Sequence, residues 1–448
     1  MDQDLNFVIH TFGCKVNTYD AGLIQNNMTQ NGFHLLNRVE KNKAQIHILN
    51  TCAVTAEATQ QAVKAVRKIK SQQPFATVIV TGCSAQVDTD AFATVSGADL
   101  IIANSHKGLI PELVKKYFKR ELTERVFKSN IFKKEDLEAG GGLEQNHTRS
   151  FLKIQDGCNS FCTFCIIPYA RGKSRSISIS ALVERIKDLE KMGRKEVVLT
   201  GVHIGDYEDN SLGSKKTLED LVQTILKKTS IERIRLSSLE PVELTDRLLD
   251  LYTDDRMCRH FHMSLQSANS EVLSQMKRKY NQTDVVHALS QIDKKLKNSF
   301  VGMDVIAGFP TETQEQFEDT YKILSDLPWT KIHVFPYSER QGTRAAVLNQ
   351  IPFHVRKERA SLLRQLSQHR YQSEMLKQIN HYDSALILAD EIDYKGTNYY
   401  QALTRNYWPV LIPKNENTFA GQELPIKISS IELIGEDQHL IGNTEATT

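Results

Sequence analysis

The sequence predicts an α/β protein of several domains: a parallel α/β domain, a partial (β/α)6 barrel and a small antiparallel β-barrel. Three observations lead to this prediction. Apolar strand-like runs alternate with helical patterns through residues 1–135. Six further strand–helix units follow within residues 149–374. Short apolar runs then recur at close spacing within residues 375–440. A chain of 448 residues is also too long for one hydrophobic core.

The composition is typical of a globular protein. Charged residues make up 25% of the chain. The first residues lack the basic and then apolar build of a signal peptide, and no apolar run reaches membrane-spanning length. Seven cysteines in so long a chain, without a secretion signal, do not indicate a disulfide framework. We therefore expect a cytoplasmic protein with no membrane partner.

Charge is distributed unevenly along the chain. The net charge is +2, but residues 375–448 contain five Lys/Arg and ten Asp/Glu and so carry −5. Residues 1–374 therefore carry +7. Because phosphate contacts need cationic side chains, we expect the first two domains to hold any nucleic acid.

The first domain places three cysteines at equivalent positions. Strands are predicted at 6–10, 46–50 and 77–80, and helices at 19–30, 57–70 and about 111–134. Cys14, Cys52 and Cys83 each follow the carboxyl end of a strand. In open α/β sheets ligands bind at that edge, so the three thiols are expected to meet in one metal site. Two alternatives remain: buried structural cysteines, or a zinc site completed by a fourth ligand such as His10, His47 or His106.

The segment 136–148 contains three consecutive glycines and predicts a flexible linker. Beyond it, strands are predicted at 151–155, 196–200, 233–237, 260–266, 300–307 and 331–335. A helix capped by Ser180 follows the first of them, and another is predicted at 244–252. Six units fall short of the eight in a closed barrel, so an open barrel is expected.

A second cysteine trio, Cys158, Cys162 and Cys165, directly follows the first barrel strand. Thiolates select zinc, cuprous ion or iron–sulfur clusters, and a structural zinc site is normally closed by four protein ligands. Three cysteines with no fourth nearby therefore favour a cluster with one open iron. The seventh cysteine, Cys258, lies alone in a charged turn and is interpreted as non-functional.

The loops after the other barrel strands point to the same mouth, where barrel chemistry takes place. They supply small and hydroxyl-bearing residues that suit a cofactor, although most such residues in loops form turns. The predicted cofactor-binding residues are Gly201, Ser237, Ser238, Gln266 and Asp304. His203 is interpreted as a polar loop residue rather than a metal ligand.

Four side chains are candidates for substrate contact. Arg171 and Arg175 lie just beyond the second cysteine trio and suit phosphate or carboxylate recognition, with a surface salt bridge as the alternative. Tyr407 and Trp408 lie in the last domain, where aromatic rings can stack on unpaired bases. The alternative for these two is an aromatic core.

With these motifs in hand, the chain resembles the radical S-adenosylmethionine (SAM) methylthiotransferases along nearly its whole length. That family combines a three-cysteine domain (here 1–135), a radical SAM partial barrel (149–374) and a β-barrel of the TRAM type (375–440). Within it, the chain is most similar to the branch that acts on threonylcarbamoyladenosine at position 37 of tRNA. The stretches that carry this similarity are TFGCKVN (11–17), NTCAVT (50–55), LTGVH (199–203) and HVFPYS (333–338).

The resemblance implies two [4Fe-4S] clusters and SAM as cofactors. Cys158, Cys162 and Cys165 would hold the cluster that cleaves SAM to a 5′-deoxyadenosyl radical, which would abstract hydrogen from adenosine C2. Cys14, Cys52 and Cys83 would hold an auxiliary cluster that presents the sulfur. No acid–base residue is then required. The implied partners are the anticodon stem-loop of tRNA and an electron donor of unknown identity.

Two other functions compete with this one. The first is a related enzyme on the same scaffold, acting on isopentenyladenosine in tRNA or on a ribosomal-protein aspartate. The second is a non-catalytic zinc or cluster protein that binds RNA. The absence of a fourth cysteine near either trio disfavours the second.

Overall fold

A computed structural model describes residues 5–37, 40–135, 137, 148–211 and 213–444 of the protein. Of the predicted linker 136–148, only Leu137 and Thr148 lie within the described residues. The predicted fold class is confirmed: two parallel α/β regions precede a small closed β-barrel. In the described part, no helix combines the length and apolar character that a membrane span requires.

The N-terminal region is a six-stranded, wholly parallel sheet in the order β2-β1-β3-β4-β5-β6. Every residue of the central strands β3 and β4 is buried, as expected where helices cover both faces of a parallel sheet. Its strands are β1 (Asn6–Thr11), β2 (His34–Leu35), β3 (Ile46–Thr51), β4 (Thr77–Gly82), β5 (Leu100–Ala103) and β6 (Val126–Phe127). Its helices are α1 (Lys15–Gln30), α2 (Ala56–Gln72), α3 (Cys83–Val87), α4 (Thr89–Ala93) and α5 (Ile110–Phe118).

Two predictions for this region were wrong. The first helix begins at Lys15, directly after Cys14, rather than at residue 19. The helix predicted over 111–134 ends at Phe118, because Arg120 adopts a positive φ of 59° and the chain then pairs as β6 against β5. The stretch is rich in basic residues, and its sequence did not indicate the turn at Arg120.

The central region is an open parallel barrel. Its strands form two hydrogen-bonded groups, β7-β10-β11 and β12-β13-β14-β15, and its helices enclose the largest apolar core of the protein. The strands are β7 (Ser150–Lys153), β8 (Gln155–Asp156), β9 (Arg175–Ser176), β10 (Glu196–Thr200), β11 (Arg233–Leu236), β12 (Ser238–Leu239), β13 (His260–Gln266), β14 (Phe300–Ala307) and β15 (Lys331–Pro336). The helices are α6 (Ile167–Arg171), α7 (Ile179–Lys191), α8 (Leu218–Lys228), α9 (Asp246–Asp250), α10 (Ser270–Gln275), α11 (Gln282–Lys295) and α12 (Gln314–Asp326).

Two helix starts differ from those predicted here. Ser178, not Ser180, caps α7, since its hydroxyl accepts a hydrogen bond from the Ala181 backbone N–H. The helix predicted over 244–252 is reduced to α9, with Thr245 as its cap. Both errors are local ambiguities among neighbouring residues that can cap a helix.

The long helix α13 (Phe353–Leu376) leads to a closed five-stranded barrel in the order β16-β17-β18-β20-β19. Its strands are β16 (Tyr382–Tyr394), β17 (Thr397–Thr404), β18 (Pro409–Pro413), β19 (Glu423–Ile434) and β20 (Asp437–Thr444). Pairing is antiparallel except between β18 and β20. The short apolar runs at 384–388, 399–404, 410–413 and 424–429 predict four strands, and the structure adds β20, which begins with exposed polar residues.

The C-terminal barrel packs against the amino-terminal ends of the central strands. Phe300, the first residue of β14, lies in one apolar cluster with Trp408. Arg233, the first residue of β11, donates to the carbonyls of Leu403 and Thr404, both at 3.0 Å. These contacts therefore lie at the opposite end of the central strands from their carboxyl ends.

Candidate active site

The fold assembles the first cysteine trio from three neighbouring strands. Strands β1, β3 and β4 are adjacent in the sheet, and Cys14, Cys52 and Cys83 follow their carboxyl ends. All three cysteines line one cavity. Gly82 lets the loops pack closely: its φ is +96°, and a Cβ there would lie 2.4 Å from the Thr51 backbone.

The second trio is held by a single loop. Cys158 donates its backbone N–H to the Gly172 carbonyl at 3.1 Å, and Cys165 donates to the Cys162 carbonyl at 3.0 Å. At the start of the loop, Gly157 has a φ of +76°, and a Cβ there would lie 2.0 Å from the Lys173 carbonyl oxygen. The loop is therefore closed on itself by backbone contacts.

Both trios fit an iron–sulfur cluster better than one metal ion. Burial, followed by the neighbouring thiols, raises the pKa of Cys52 to about 12. Burial raises the pKa of Cys165 to about 12 as well, so these thiolates need a cationic centre to stay ionised. Among the described residues, neither trio brings its sulfur atoms within 4.8 Å of one another. Three sulfurs about 2.3 Å from one zinc ion would lie closer than that.

Side chains from other loops surround the second trio. His203 Nδ1 lies 3.9 Å from Cys158 Sγ, and its Nε2 bonds to Glu243. Arg278 donates to Cys162 Sγ at 3.2 Å and forms an ion pair with Glu240 at 3.0 Å. Sequence reasoning missed Arg278, which follows Cys162 by 116 residues and belongs to no motif.

A cavity of about 490 Å³ lies between the N-terminal sheet and the central barrel. Residues from the carboxyl edges of both line it. They include Cys14, Lys15, Cys52, Cys83, Ile167, Arg171, Thr200, Gly201, Ser237, Ser238, His262, Ser264 and Asp304. The cysteines of the second trio are not among the lining residues, but Ile166, the residue after Cys165, lies in one apolar cluster with Cys83.

The predicted cofactor residues divide into two groups. Gly201, Ser237, Ser238 and Asp304 line the cavity, and Asp304 Oδ2 lies 3.0 Å from His262 Nε2. Gln266 is not among the lining residues and adopts a positive φ of 67°.

Gln155, which sequence reasoning missed, shapes the same edge. Its side-chain carbonyl accepts hydrogen bonds from the backbone N–H groups of Val202 and His203, at 3.1 and 3.0 Å. Gln155 therefore fixes the loop that follows β10.

Arg171 lines the cavity, but a buried network occupies its guanidinium. It donates to Asp156 at 3.0 Å and to Asn17 at 2.6 Å, and it pairs with Asp20 at 3.1 Å. Lys107 and Lys153 also bind Asp20, at 2.8 and 2.7 Å. Although burial opposes ionisation, these three cations hold the pKa of Asp20 well below its usual range. Since Asp20 is on α1 and Lys153 on β7, the network fastens the first domain to the barrel.

The other three substrate candidates lie away from the cavity lining. Arg175 donates to the backbone carbonyls of Lys134 and Arg171, at 2.8 and 3.0 Å. Trp408 is 2% exposed, and Tyr407 stacks on His260 with ring centroids 3.8 Å apart. The structure thus favours the aromatic-core alternative for both residues, because Trp408 is buried and the partly buried Tyr407 ring packs on His260 and Arg235. Cys258 is fully buried.

Comparisons with known proteins agree with this architecture. Residues 152–324 match the radical SAM superfamily, and residues 6–103 match the uncharacterized protein family UPF0004. The threonylcarbamoyladenosine tRNA methylthiotransferase MtaB of Rickettsia prowazekii is 37% identical over 92% of this chain and 93% of its own. MtaB of Bacillus subtilis is 32% identical over 94% and 92%. A tRNA-2-methylthio-N(6)-dimethylallyladenosine synthase of Clostridium tetani is 31% identical over 80% of each chain.

Among solved structures, the radical SAM methyltransferase TsrM of Kitasatospora setae shares the fold, with a TM-score of 0.60 at 14% identity over 77% of each chain. The chain therefore belongs to the radical SAM methylthiotransferase family, together with the MtaB proteins.

Proposed function

We propose that the protein converts N6-threonylcarbamoyladenosine at position 37 of tRNA to its 2-methylthio derivative. The relatives in Rickettsia prowazekii and Bacillus subtilis carry this activity in their names. The observation that carries the proposal is the shared cavity, which three cysteines of one domain and the strand ends of the other line together. Its volume of about 490 Å³ is in the range of sites for small ligands.

The two cysteine trios have different roles in this proposal. Cys158, Cys162 and Cys165 bind the radical SAM cluster, and Cys14, Cys52 and Cys83 bind the auxiliary cluster. When bound, the clusters and SAM supply one-electron cleavage of a sulfonium, together with the sulfur and the methyl group. The protein contributes position and exclusion of water.

The cavity residues hold the reactants by shape and by hydrogen bonds. Gly201 allows close approach of a cofactor to the backbone, and Ser237 and Ser238 offer hydroxyls at the ends of β11 and β12. Asp304, held by His262, presents a carboxylate that suits a ribose hydroxyl. No proton transfer by a side chain is required.

The tRNA partner follows from the same proposal. We assign the anticodon stem-loop to the positively charged first two domains, since residues 375–448 carry a net charge of −5. A cytoplasmic location and an external electron donor belong to the proposal, because the substrate is tRNA and cleavage of SAM consumes an electron.

Mass spectrometry of tRNA nucleosides from a deletion strain tests the function. We expect the 2-methylthio derivative to disappear and threonylcarbamoyladenosine to accumulate, with recovery by the intact gene. The same experiment examines the second candidate, isopentenyladenosine, which the Clostridium tetani relative favours. Loss of the methylthio group from isopentenyladenosine alone would replace our proposal with that one.

A further inference from the structure

The cavity contains one charged side chain that stands apart from the others. Three formally charged residues line it: Lys15, Arg171 and Asp304. Arg171 forms ion pairs with Asp156 and Asp20, and Asp304 lies within hydrogen-bonding distance of His262, at 3.0 Å. Within the described part of the chain, Lys15 has no hydrogen bond or ion pair. A partly buried cation without a hydrogen bond or ion pair is unfavourable unless a ligand supplies the counter-charge.

The surroundings of Lys15 add to the demand for an anion. Arg149 and Arg235 lie within electrostatic range of it and share the carboxylate of Glu196, at 3.7 and 3.0 Å. Arg233 binds the same carboxylate at 2.8 Å. Glu196 and Tyr407 oppose the effect of the two arginines on Lys15, but Glu196 already pairs with both arginines.

The position of Lys15 relates it to the reacting edge of the site. It directly follows Cys14, so its backbone is fixed at the start of α1 beside the auxiliary trio. A lysine side chain extends over four carbons and donates up to three hydrogen bonds. It can therefore reach a group several bonds from the base while the base lies beside the cysteines.

We propose that Lys15 is the specificity-determining residue that binds the carboxylate of the threonylcarbamoyl group. This inference rests on the proposed function. Among the modified adenosines considered, threonylcarbamoyladenosine carries an anionic substituent on N6, whereas isopentenyladenosine carries a neutral one. An unpaired ammonium in the cavity favours the first and leaves a desolvated charge beside the second.

The test compares two anticodon stem-loops, one with threonylcarbamoyladenosine at position 37 and one with its methyl ester. Anaerobic, cluster-reconstituted wild-type and Lys15→Met proteins are compared by Kd and by single-turnover methylthiolation. We expect wild type to bind the acid about 10- to 100-fold more tightly than the ester, in the range of a charge-assisted hydrogen bond. Lys15→Met should lose that preference while its affinity for the ester stays unchanged.

Two further variants control for structure. Lys15→Arg keeps the charge and should retain most of the preference. Lys64→Met removes an exposed lysine of α2 and should behave as wild type. Iron content and SAM cleavage without RNA report whether the clusters are intact.

Each remaining outcome is decisive. If Lys15→Met still prefers the acid, or loses affinity for SAM and for both stem-loops equally, the inference is wrong and the proposed function stands. If wild type leaves the acid stem-loop unmodified, the proposed function itself fails, and the inference fails with it.

Discussion

The two cysteine trios are assembled in different ways. Cys158, Cys162 and Cys165 lie within eight residues, in a loop that its own backbone hydrogen bonds close. Cys14, Cys52 and Cys83 span 70 residues and meet only because β1, β3 and β4 are neighbours in a parallel sheet. The site of Cys158, Cys162 and Cys165 is therefore encoded locally, whereas the site of the other three cysteines is a property of the fold. The two should therefore fail in different ways.

Removing one thiol from each trio should give the largest loss of activity. It should also separate SAM cleavage from methylthiolation of RNA. We expect Cys162→Ala and Cys52→Ala each to lose about four irons per chain. Only Cys162→Ala should lose SAM cleavage, whereas Cys52→Ala should cleave SAM without methylthiolating RNA. Iron analysis and chromatographic detection of 5′-deoxyadenosine measure both.

Cys258→Ala is the matched control, since this cysteine is buried outside both trios. It should retain all iron and both activities. Loss of SAM cleavage in a Cys52→Ala protein that keeps its radical SAM cluster would contradict the division of roles.

The buried network at Asp20 joins the first domain to the central barrel. Breaking this network should give the next largest effect, a loss of stability. Asp20→Asn leaves Lys107, Lys153 and Arg171 buried with less counter-charge. Loss of one partner from a buried ion network costs about 3–5 kcal/mol. We expect a lower thermal midpoint and faster hydrogen exchange in α1 and β7.

The exposed pair Lys191–Asp188 provides the comparison. Asp188→Asn removes an ion pair between side chains that are 76% and 52% exposed, and it should leave stability nearly unchanged. If Asp20→Asn were equally silent, Asp20 would not fasten the two domains together.

The contrast between the trios also explains what the sequence predicts. Strand positions follow from the hydrophobic pattern, and the trio of Cys158, Cys162 and Cys165 follows from a local spacing. The trio of Cys14, Cys52 and Cys83 could be predicted because each cysteine follows a predicted strand of one parallel sheet. The roles of Arg278 and Gln155 were not predicted, because they arise from contacts between residues that are 116 and 47 positions apart in the sequence. The burial of Trp408 could not be predicted for a related reason. An aromatic residue occurs both in cores and on binding surfaces, and only contacts distant in sequence distinguish the two.

Glycine substitutions beside each trio should lower the iron content of one cluster at a time, by less than removal of a thiol does. An added Cβ at Gly82 would meet the Thr51 backbone, whereas one at Gly157 would meet the Lys173 carbonyl. Each alanine also adopts a positive φ, at a cost of about 1–3 kcal/mol. We expect Gly82→Ala to lower auxiliary-cluster iron and Gly157→Ala to lower radical SAM-cluster iron, as Mössbauer spectra of the reconstituted variants would show.

Gly193 separates strain from contact in that experiment. Its φ is +74°, but nothing lies within 4 Å of an added Cβ. Gly193→Ala should lose stability while both clusters stay occupied. Equal loss of both clusters in all three variants would mean that global destabilisation, rather than local packing, sets occupancy.

The smallest effect concerns the reduction potentials of the two clusters. Arg278 places a charged donor 3.2 Å from Cys162 Sγ, whereas Asn104 places a neutral amide 3.7 Å from Cys83 Sγ. Hydrogen bonds to cluster sulfurs stabilise the reduced, more negative state and raise its potential. We expect Arg278→Gln to lower the potential of the radical SAM cluster by on the order of 60 mV, a tenfold change in a one-electron equilibrium.

Asn104→Ala should shift the auxiliary cluster by less, because a neutral donor at the longer distance interacts more weakly with a thiolate. Redox titration followed by electron paramagnetic resonance measures both shifts, with Arg247→Gln as an exposed control. Equal shifts at the two clusters would show that donor charge does not distinguish them. A larger shift for Arg278→Gln would instead mean that the reduction potential of the locally encoded site depends on a distant loop. Arg278 belongs to neither the cysteine loop nor the strand before it.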